Sequence, residues 1–325
     1  MRIAIIGCGS IVVNSHAGAL LEIGANVVGV TDLDNSNCKR VAHLFPYDVP
    51  TYSDYEIMIN ERSPDYVLVA LPHHAYPSVI EFCLRRGLKV IKEKPFATAL
   101  EQVEHLSKTV AETPGTLFTV CQKRYYPAYE ELRRYIDCRP GQIRQVVVRY
   151  TIPSKSPNSG WRGRSDKAGG GVWLDMGYHA VNLLQFLLRS PAMTVSHASL
   201  INTAPGSYEV DDIAFAELNC AGIPALVYVS CVDSEKNEHI TITGDDFIAR
   251  ADRRGLLIKN KNQDTLLVSN IEADPGSPFT AMYKQLSLDI DGAIFAENLS
   301  ESIQSSKIIC EVNERWKREE EMENV

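Results

Sequence analysis

A chain of 325 residues exceeds what one core comfortably holds and suits two domains, at roughly 100 to 200 residues each. With 45% hydrophobic and 23% charged residues, its composition is globular, which excludes a disordered or fibrous polypeptide. Lysine and arginine number 33 against 41 aspartates and glutamates, and the net charge of -8 argues against a nucleic-acid partner. The densest basic stretch, Lys123 and Arg124 followed by Arg133, Arg134 and Arg139, is broken by Glu130 and Glu131 and reads as a solvated helix face.

From residue 1 to about 120, short β-branched runs alternate with helical patterns, as in a sheet wound through βα units. The runs predict strands at 2–6, 26–31, 65–70, 88–92 and 117–121. Helices are expected near 12–23, 36–44, 53–61, 74–86 and 99–111, with Gly24 and Gly87 as stops. This half is expected to be a doubly wound parallel sheet.

After residue 140 the rhythm changes to longer alternating runs, among them 143–150, 193–201, 211–219, 223–232, 238–243 and 264–268, which predict an antiparallel sheet. Helices are expected at 172–188, 279–290 and 300–318, and the charged tail from Arg315 to Val325 is expected to end as a solvated helix or to fray. The segment Pro153 to Gly171, rich in glycine and polar residues, reads as a functional loop because it carries Trp161 and Arg162 and feeds the helix at 172. The domain expectation is therefore residues 1–120 for one domain and 121–325 for a second, α+β domain.

Eight cysteines are scattered without a CxxC pair, mostly in apolar runs, which suits a reducing cytoplasm. The apolar stretch before Gly7 is too short for a secretory signal, and no apolar run reaches the ~18 residues of a membrane span. No membrane partner is expected.

The first predicted strand runs into Gly7-Cys8-Gly9-Ser10-Ile11-Val12, a G-x-G between strand and helix, the context that suits a dinucleotide. Gly7 permits a tight turn, Gly9 lets the backbone approach a pyrophosphate, and Val12 stands where a third glycine is common. Asp32 follows the second strand at the roughly 20-residue spacing of a carboxylate that binds the adenosine ribose, so NAD is expected over NADP. Asp34, Lys39 and Arg40 lie close enough to modify that preference, and a plain helix-capping role for Asp32 is the competing reading.

Lys94, in Lys92-Glu93-Lys94-Pro95, sits at the carboxyl end of a buried-looking strand, where open α/β sheets bind ligands. It can polarise a substrate oxygen or share its proton, or it can be a surface lysine. In the block Gly169 to His179, Asp175 and His179 are four apart on one helical face, next to glycines, and can act as an acid-base pair. A surface ion pair and half a metal site are the alternatives; with no third or fourth ligand in view, no metal is expected.

Together these residues resemble the Gfo/Idh/MocA family, the glucose-fructose oxidoreductase and inositol dehydrogenase group. The resemblance rests on Gly7-Cys8-Gly9-Ser10-Ile11 with His16, Leu71-Pro72-His73-His74, Glu93-Lys94-Pro95, Gln122-Lys123-Arg124-Tyr125 before Pro127, Trp161-Arg162, and the Gly169 to His179 block. It implies an NAD-binding Rossmann domain followed by an α+β domain whose open, mostly antiparallel sheet binds substrate and mediates homo-oligomerisation, as a dimer or tetramer. By resemblance Lys94, Asp175 and His179 fall on catalytic positions. Gly7, Gly9, Ser10, Ile11, Asp32, Leu71, Pro72, His74, Glu93 and Lys94 fall on cofactor-binding positions, and Arg124, Trp161, Arg162 and Tyr178 around the pocket. Val12 and Tyr76 depart from the family pattern.

The activity implied is hydride exchange between nicotinamide and a secondary alcohol or ketone of a sugar, cyclitol or sugar derivative. Trp161 and Tyr178 offer flat apolar faces and Arg124, Arg162 and Asp166 hydrogen bonds, a mix that suits a small polyol; a packing role for Trp161 competes. The two arginines would also suit a carboxylate or phosphate on the sugar. Other readings within reach of the same residues are an imine or enone reductase, an NAD-dependent glycosidase, and a sensor that binds NAD without turnover.

Overall fold

Ile3, Ala4 and Ile5 are buried on both faces of the first strand, a pattern that only the middle of a covered sheet accommodates. In the computed structural model, which describes residues 1–139, 141–154, 158–189, 192–270 and 277–323, that strand (β1, Arg2–Ile6) is central. It is flanked by β2 (Asn26–Thr31) and β4 (Tyr66–Val69); β3 (Thr51–Tyr52), β5 (Lys89–Lys92) and β6 (Thr116–Thr119) complete a six-stranded sheet. Every pairing is parallel, in the order β3-β2-β1-β4-β5-β6. The order reverses direction between β1 and β4, so the carboxyl ends of those two strands flank the natural ligand crevice of such a sheet.

The second sheet has eight strands: β7 (Ile143–Thr151), β8 (Met193–Ile201), β9 (Ile213–Cys220), β10 (Ile223–Ser230), β11 (Asn237–Gly244), β12 (Phe247–Asp252), β13 (Gly255–Asn260) and β14 (Thr265–Asn270). Their order is β14-β13-β12-β11-β7-β10-β9-β8, antiparallel throughout except for the β7–β10 pair. The architecture is thus a parallel Rossmann sheet followed by a mixed, mostly antiparallel one. Two compact units divide the chain: Met1–Phe96, Glu104–Gln122 and Gly276–Ser300 form one, and Ala97–Val103, Lys123–Pro275 and Glu301–Val325 the other.

Some elements differ from the sequence reading. β12 and β13 were not among the runs singled out, because the inward positions of β12 include Ala249 and Ala251, whose small side chains make a weak alternation. The helix expected at 172–188 opens as a π-helical turn, Trp173–Gly177, before the α-helix Tyr178–Leu188. The last helix, Ala293–Glu323, begins before residue 300 because the Asp289 carboxylate caps it, accepting from the amides of Ile294 and Phe295 at 3.2 and 3.3 Å. The basic stretch is solvated only in part: Arg134 is exposed, but Arg124 is buried and the Arg133 guanidinium lies 4.3 Å from the centre of the Phe186 ring. Asn324 and Val325 of the charged tail, and residues 155–157 of the loop from Pro153, lie outside the described residues.

β6 is an edge strand, and its exposed backbone groups need partners other than a neighbouring strand. The buried Asn298 side chain supplies them, its Oδ1 accepting from the Thr119 amide at 2.7 Å and its Nδ2 donating to the Thr119 carbonyl at 3.0 Å. Asn298→Leu keeps the volume and orphans both groups, so it is expected to destabilise the protein by about 2 to 4 kcal/mol. Urea unfolding measures this, and a loss below about 0.5 kcal/mol would show that the pair is dispensable.

Candidate active site

The turn after β1 is built around Gly7, whose φ of +90° lies in the left-handed region. A Cβ there would come within 2.2 Å of the Ala70 carbonyl oxygen, so the sheet's own backbone demands glycine. Gly9 is different: a Cβ on it would meet nothing within 4 Å, leaving open space beside the turn for a close-approaching group. Ser10 and Ile11 are exposed next to it, and a π-helical turn, Val12–His16, leads into the helix Ala17–Glu22. Val12 is fully buried, so the absent third glycine is replaced by core packing.

Asp32 is fastened to this turn. One carboxylate oxygen accepts from the Cys8 amide at 2.7 Å, and the other from the Asp34 amide at 2.9 Å and the Asn37 side chain at 3.3 Å. The cap of the following helix is Asp34, whose Oδ1 accepts from the Ser36 amide at 2.8 Å; the Ser36 side chain, and then that amide, hold its carboxyl below the usual range. The capping role considered for Asp32 therefore belongs to its neighbour. Arg40 donates to the Cys8 carbonyl at 3.3 Å and to Asn37 at 2.9 Å, which places its guanidinium at the same turn. Gly9 and the Asp32 carboxylate together suit a dinucleotide: space for a pyrophosphate and an acceptor for ribose hydroxyls.

Leu71 and Pro72 follow β4 and are partly exposed, and His74 is exposed in the 3-10 turn His73–Ala75. At the end of β5, Lys94 is partly exposed, whereas Lys92 and Glu93 point inward. The Lys92 ammonium donates to the carbonyls of Glu93, at 2.9 Å, and Pro95, and lies 3.6 Å from the centre of the Tyr76 ring. Burial lowers its pKa well below the usual lysine value, the Glu93 charge opposing. Tyr76, a departure from the family pattern, is thus the aromatic face under a buried cation. The Glu93 carboxylate meets His16 at 2.9 Å and accepts from the Lys94 amide at 3.2 Å.

In the second unit, Gly171 lies so close to Asp211 that a Cβ would fall 1.9 Å from the Asp211 carbonyl oxygen. The Asp211 carboxylate accepts from the Gly171 and Trp173 amides, each at 2.7 Å, and its carbonyl accepts from Val172 at 2.9 Å. It is the anchor for the start of the Trp173–Gly177 turn and hence for the helix bearing Asp175 and His179. Asp175 is exposed, while His179 is largely buried, its ring edge-on to Tyr150 at 6.3 Å. Burial drives the Tyr150 hydroxyl well above its usual pKa, with Glu238 and then Asp175 adding negative charge. Lys123 pairs with Glu238 and sits 3.9 Å from the centre of the Tyr150 ring.

The four residues expected around a pocket behave differently from one another. Trp161 and Arg162 occupy the 3-10 turn Gly160–Gly163, the guanidinium 4.7 Å from the indole centre. Tyr178 has no exposed surface, and Arg124, 8% exposed, donates to Asn182 at 3.1 Å and pairs with Glu301 at 2.5 Å. Asp166 pairs with Arg164 at 3.1 Å. Sequence reasoning missed Asp211 and Lys92 as organisers. Lys92 left a signal, a lysine directly after the apolar pair Val90-Ile91; Asp211 left none, since its partners lie about 40 residues away. Among the described residues no helix is long and apolar enough to cross a membrane, and no group of three or more His, Cys, Asp or Glu could hold a metal ion.

The model of the oxidoreductase family with an NAD-binding Rossmann fold matches residues 1–120, and that of the GFO/IDH/MocA C-terminal domain matches residues 129–249. Inositol 2-dehydrogenase of Rhizobium meliloti (strain 1021) is 26% identical over 232 residues, covering 70% of this chain and 68% of that protein. A putative UDP-kanosamine synthase oxidoreductase subunit of Amycolatopsis mediterranei (strain S699) is 28% identical over 176 residues, 54% of this chain and 48% of that one. The chain thus spans about half the length of some curated relatives it matches. The crystal structure of an oxidoreductase from Thermotoga maritima superposes with a TM-score of 0.83 at 18% identity, over 96% of this chain and 95% of that one, which shows the shared fold.

Burial raises the Asp211 carboxyl from 3.8 to about 6, outweighing the Trp173 and Gly171 amides that favour its ionised form; Asp212 adds to the rise. The folded state then retains a proton that the unfolded chain releases, so this group's contribution to stability falls as pH rises through that window and levels off above it. The change amounts to about 3 kcal/mol. Urea midpoints measured from pH 4 to 7 are expected to show the parent losing stability relative to Asp211→Asn across the window. A parent-to-variant difference independent of pH would refute the assignment.

Proposed function

This chain belongs to the GFO/IDH/MocA family of NAD(P)-dependent oxidoreductases, and from that premise we propose that it exchanges a hydride with a secondary alcohol, or the matching ketone, of a sugar, cyclitol or sugar derivative. The observation that carries the reading is the Asp32 carboxylate bound to the Cys8 amide beside the open Gly9 turn. A carboxylate at that point accepts ribose hydroxyls and repels a 2'-phosphate, which supports NAD over NADP. Relatives named for inositol and for a UDP-sugar support the substrate class.

When bound, the nicotinamide supplies the hydride chemistry. The amides at the Gly7–Gly9 turn and the helix after it would hold the dinucleotide, with Ser10, Ile11, Leu71, Pro72 and His74 around it. Lys94 binds and polarises the substrate oxygen. His179 takes the hydroxyl proton as general base, and exposed Asp175 orients it and stabilises its charged form. Trp161 and Arg162 are the residues best presented to a ring bearing hydroxyls. Tyr178 and Arg124, both buried, we assign to the packing of the same unit rather than to direct contact with the ring. Residues 1–120 would thus supply cofactor binding and 121–325 the substrate and subunit contacts.

A homo-oligomer, as dimer or tetramer in the cytoplasm, belongs to the same proposal. The outward face of the second sheet carries Phe215, Leu226, Ile248 and Val268, each partly solvent-exposed, on β9, β10, β12 and β14. None of the eight cysteines is in a disulfide.

Reduced-nicotinamide absorbance, followed with NAD and NADP across inositols, aldoses, uronates, amino sugars and nucleotide sugars, tests the function. Lys94→Ala and His179→Ala are each expected to lower kcat by about 10² to 10⁴ while NADH affinity changes by less than about threefold. Unchanged turnover in both variants defeats the catalytic assignment, and a clear NADP preference defeats the role of Asp32.

A further inference from the structure

Three buried side chains from distant segments form one hydrogen-bonded chain beneath Lys94. The His16 imidazole, with no exposed surface, places Nδ1 2.7 Å from the Tyr283 hydroxyl and Nε2 2.9 Å from Glu93 Oε1. The other oxygen of Glu93 accepts from the Lys94 amide at 3.2 Å. Burial, reinforced by the Glu93 charge, raises the Tyr283 hydroxyl well above its usual pKa, so it keeps its hydrogen and donates to Nδ1. The imidazole hydrogen then sits on Nε2 and points at the carboxylate. Both ring nitrogens are engaged, and Phe279 packs edge-on at 4.7 Å, so the ring has one orientation.

The Lys94 backbone is consequently held from two sides. Lys92 takes the carbonyls of residues 93 and 95, and Glu93 takes the amide of residue 94. Glu93 is itself nearly buried, and a carboxylate there is tolerable only with strong donors; His16 reaches Oε1. We propose that His16 is a positioning residue: the Tyr283–His16–Glu93 chain fixes the peptide of Lys94 and so sets the direction of its side chain. The proposal rests on the catalytic reading of Lys94 for its kinetic consequence but not for its structural one. It ties the helix Pro278–Leu288 to the performance of a residue almost 200 positions earlier.

The test uses the full-length protein with three variants. His16→Leu removes both bonds, His16→Gln retains a donor and an acceptor, and Tyr283→Phe removes a single oxygen. Hydrogen–deuterium exchange of the peptide spanning Lys94 is expected to quicken about tenfold in His16→Leu, the size of one lost charge-assisted bond. In the same variant kcat should fall by about 10- to 100-fold with KM changed by less than about threefold, as for a misplaced catalytic group. His16→Gln should restore both readouts to within about threefold of the parent, since it keeps the bond pattern. Exchange and kcat at parent levels in His16→Leu, with only the melting temperature lowered, overturn the proposal. Should that variant not fold, Tyr283→Phe must still quicken exchange at Lys94 by about threefold, and parent-like exchange there overturns it equally. If the parent turns over none of the sugars or cyclitols, the functional reading fails, while the exchange arm still decides the role of His16.

Discussion

In each unit a carboxylate accepts from main-chain amides of the glycine turn that precedes a helix. Asp32 accepts from Cys8 in the turn after β1, and Asp211 accepts from Gly171 and Trp173 before the helix bearing Asp175 and His179. Helix N-termini leave amides without intrahelical partners, and a buried or half-buried carboxylate satisfies them while matching the positive end of the helix. In both cases the segment that follows is a π-helical turn, Val12–His16 or Trp173–Gly177, a feature that recurs at functional sites. Glycine is required at Gly7, next to Cys8, and at Gly171 for the same reason: another backbone oxygen, of Ala70 or Asp211, occupies the space a Cβ would need.

The strand end carrying Lys94 obeys a related constraint. Its neighbours Lys92 and Glu93 are ionisable yet buried, and each is compensated locally, Lys92 by carbonyls and the Tyr76 ring, Glu93 by His16 and the Lys94 amide. Buried charge is tolerated only with such partners, and the partners restrict the backbone to one conformation. On the proposed catalytic reading, Lys94 would benefit from a backbone that does not move.

Much of this was legible in the residues. The six-stranded parallel sheet announced itself through runs such as Ile3–Ile6 and Val67–Val69, which are apolar at every position. The G-x-G turn, Asp32, Lys94 and the Asp175–His179 spacing were readable because each depends on near neighbours in sequence. Asp34 rather than Asp32 as the helix cap was not, since the two differ only in which amide each carboxylate reaches. The pairing of the Arg124 guanidinium with Glu301, almost 180 residues later, left no trace in the local sequence. β12 escaped notice because two of its three inward positions are alanines, Ala249 and Ala251.

Local chemistry by itself therefore determined the order of strands and helices, the nucleotide-type turn and the identity of the candidate acid-base groups, because periodicity, turn residues and short spacings act within a few residues. Tertiary structure alone decided which polar groups are buried and paired within the protein and which are exposed. Lys92, His16, Arg124 and Asp211 are buried, buried polar groups mostly pair, and their partners come from segments up to 267 residues away.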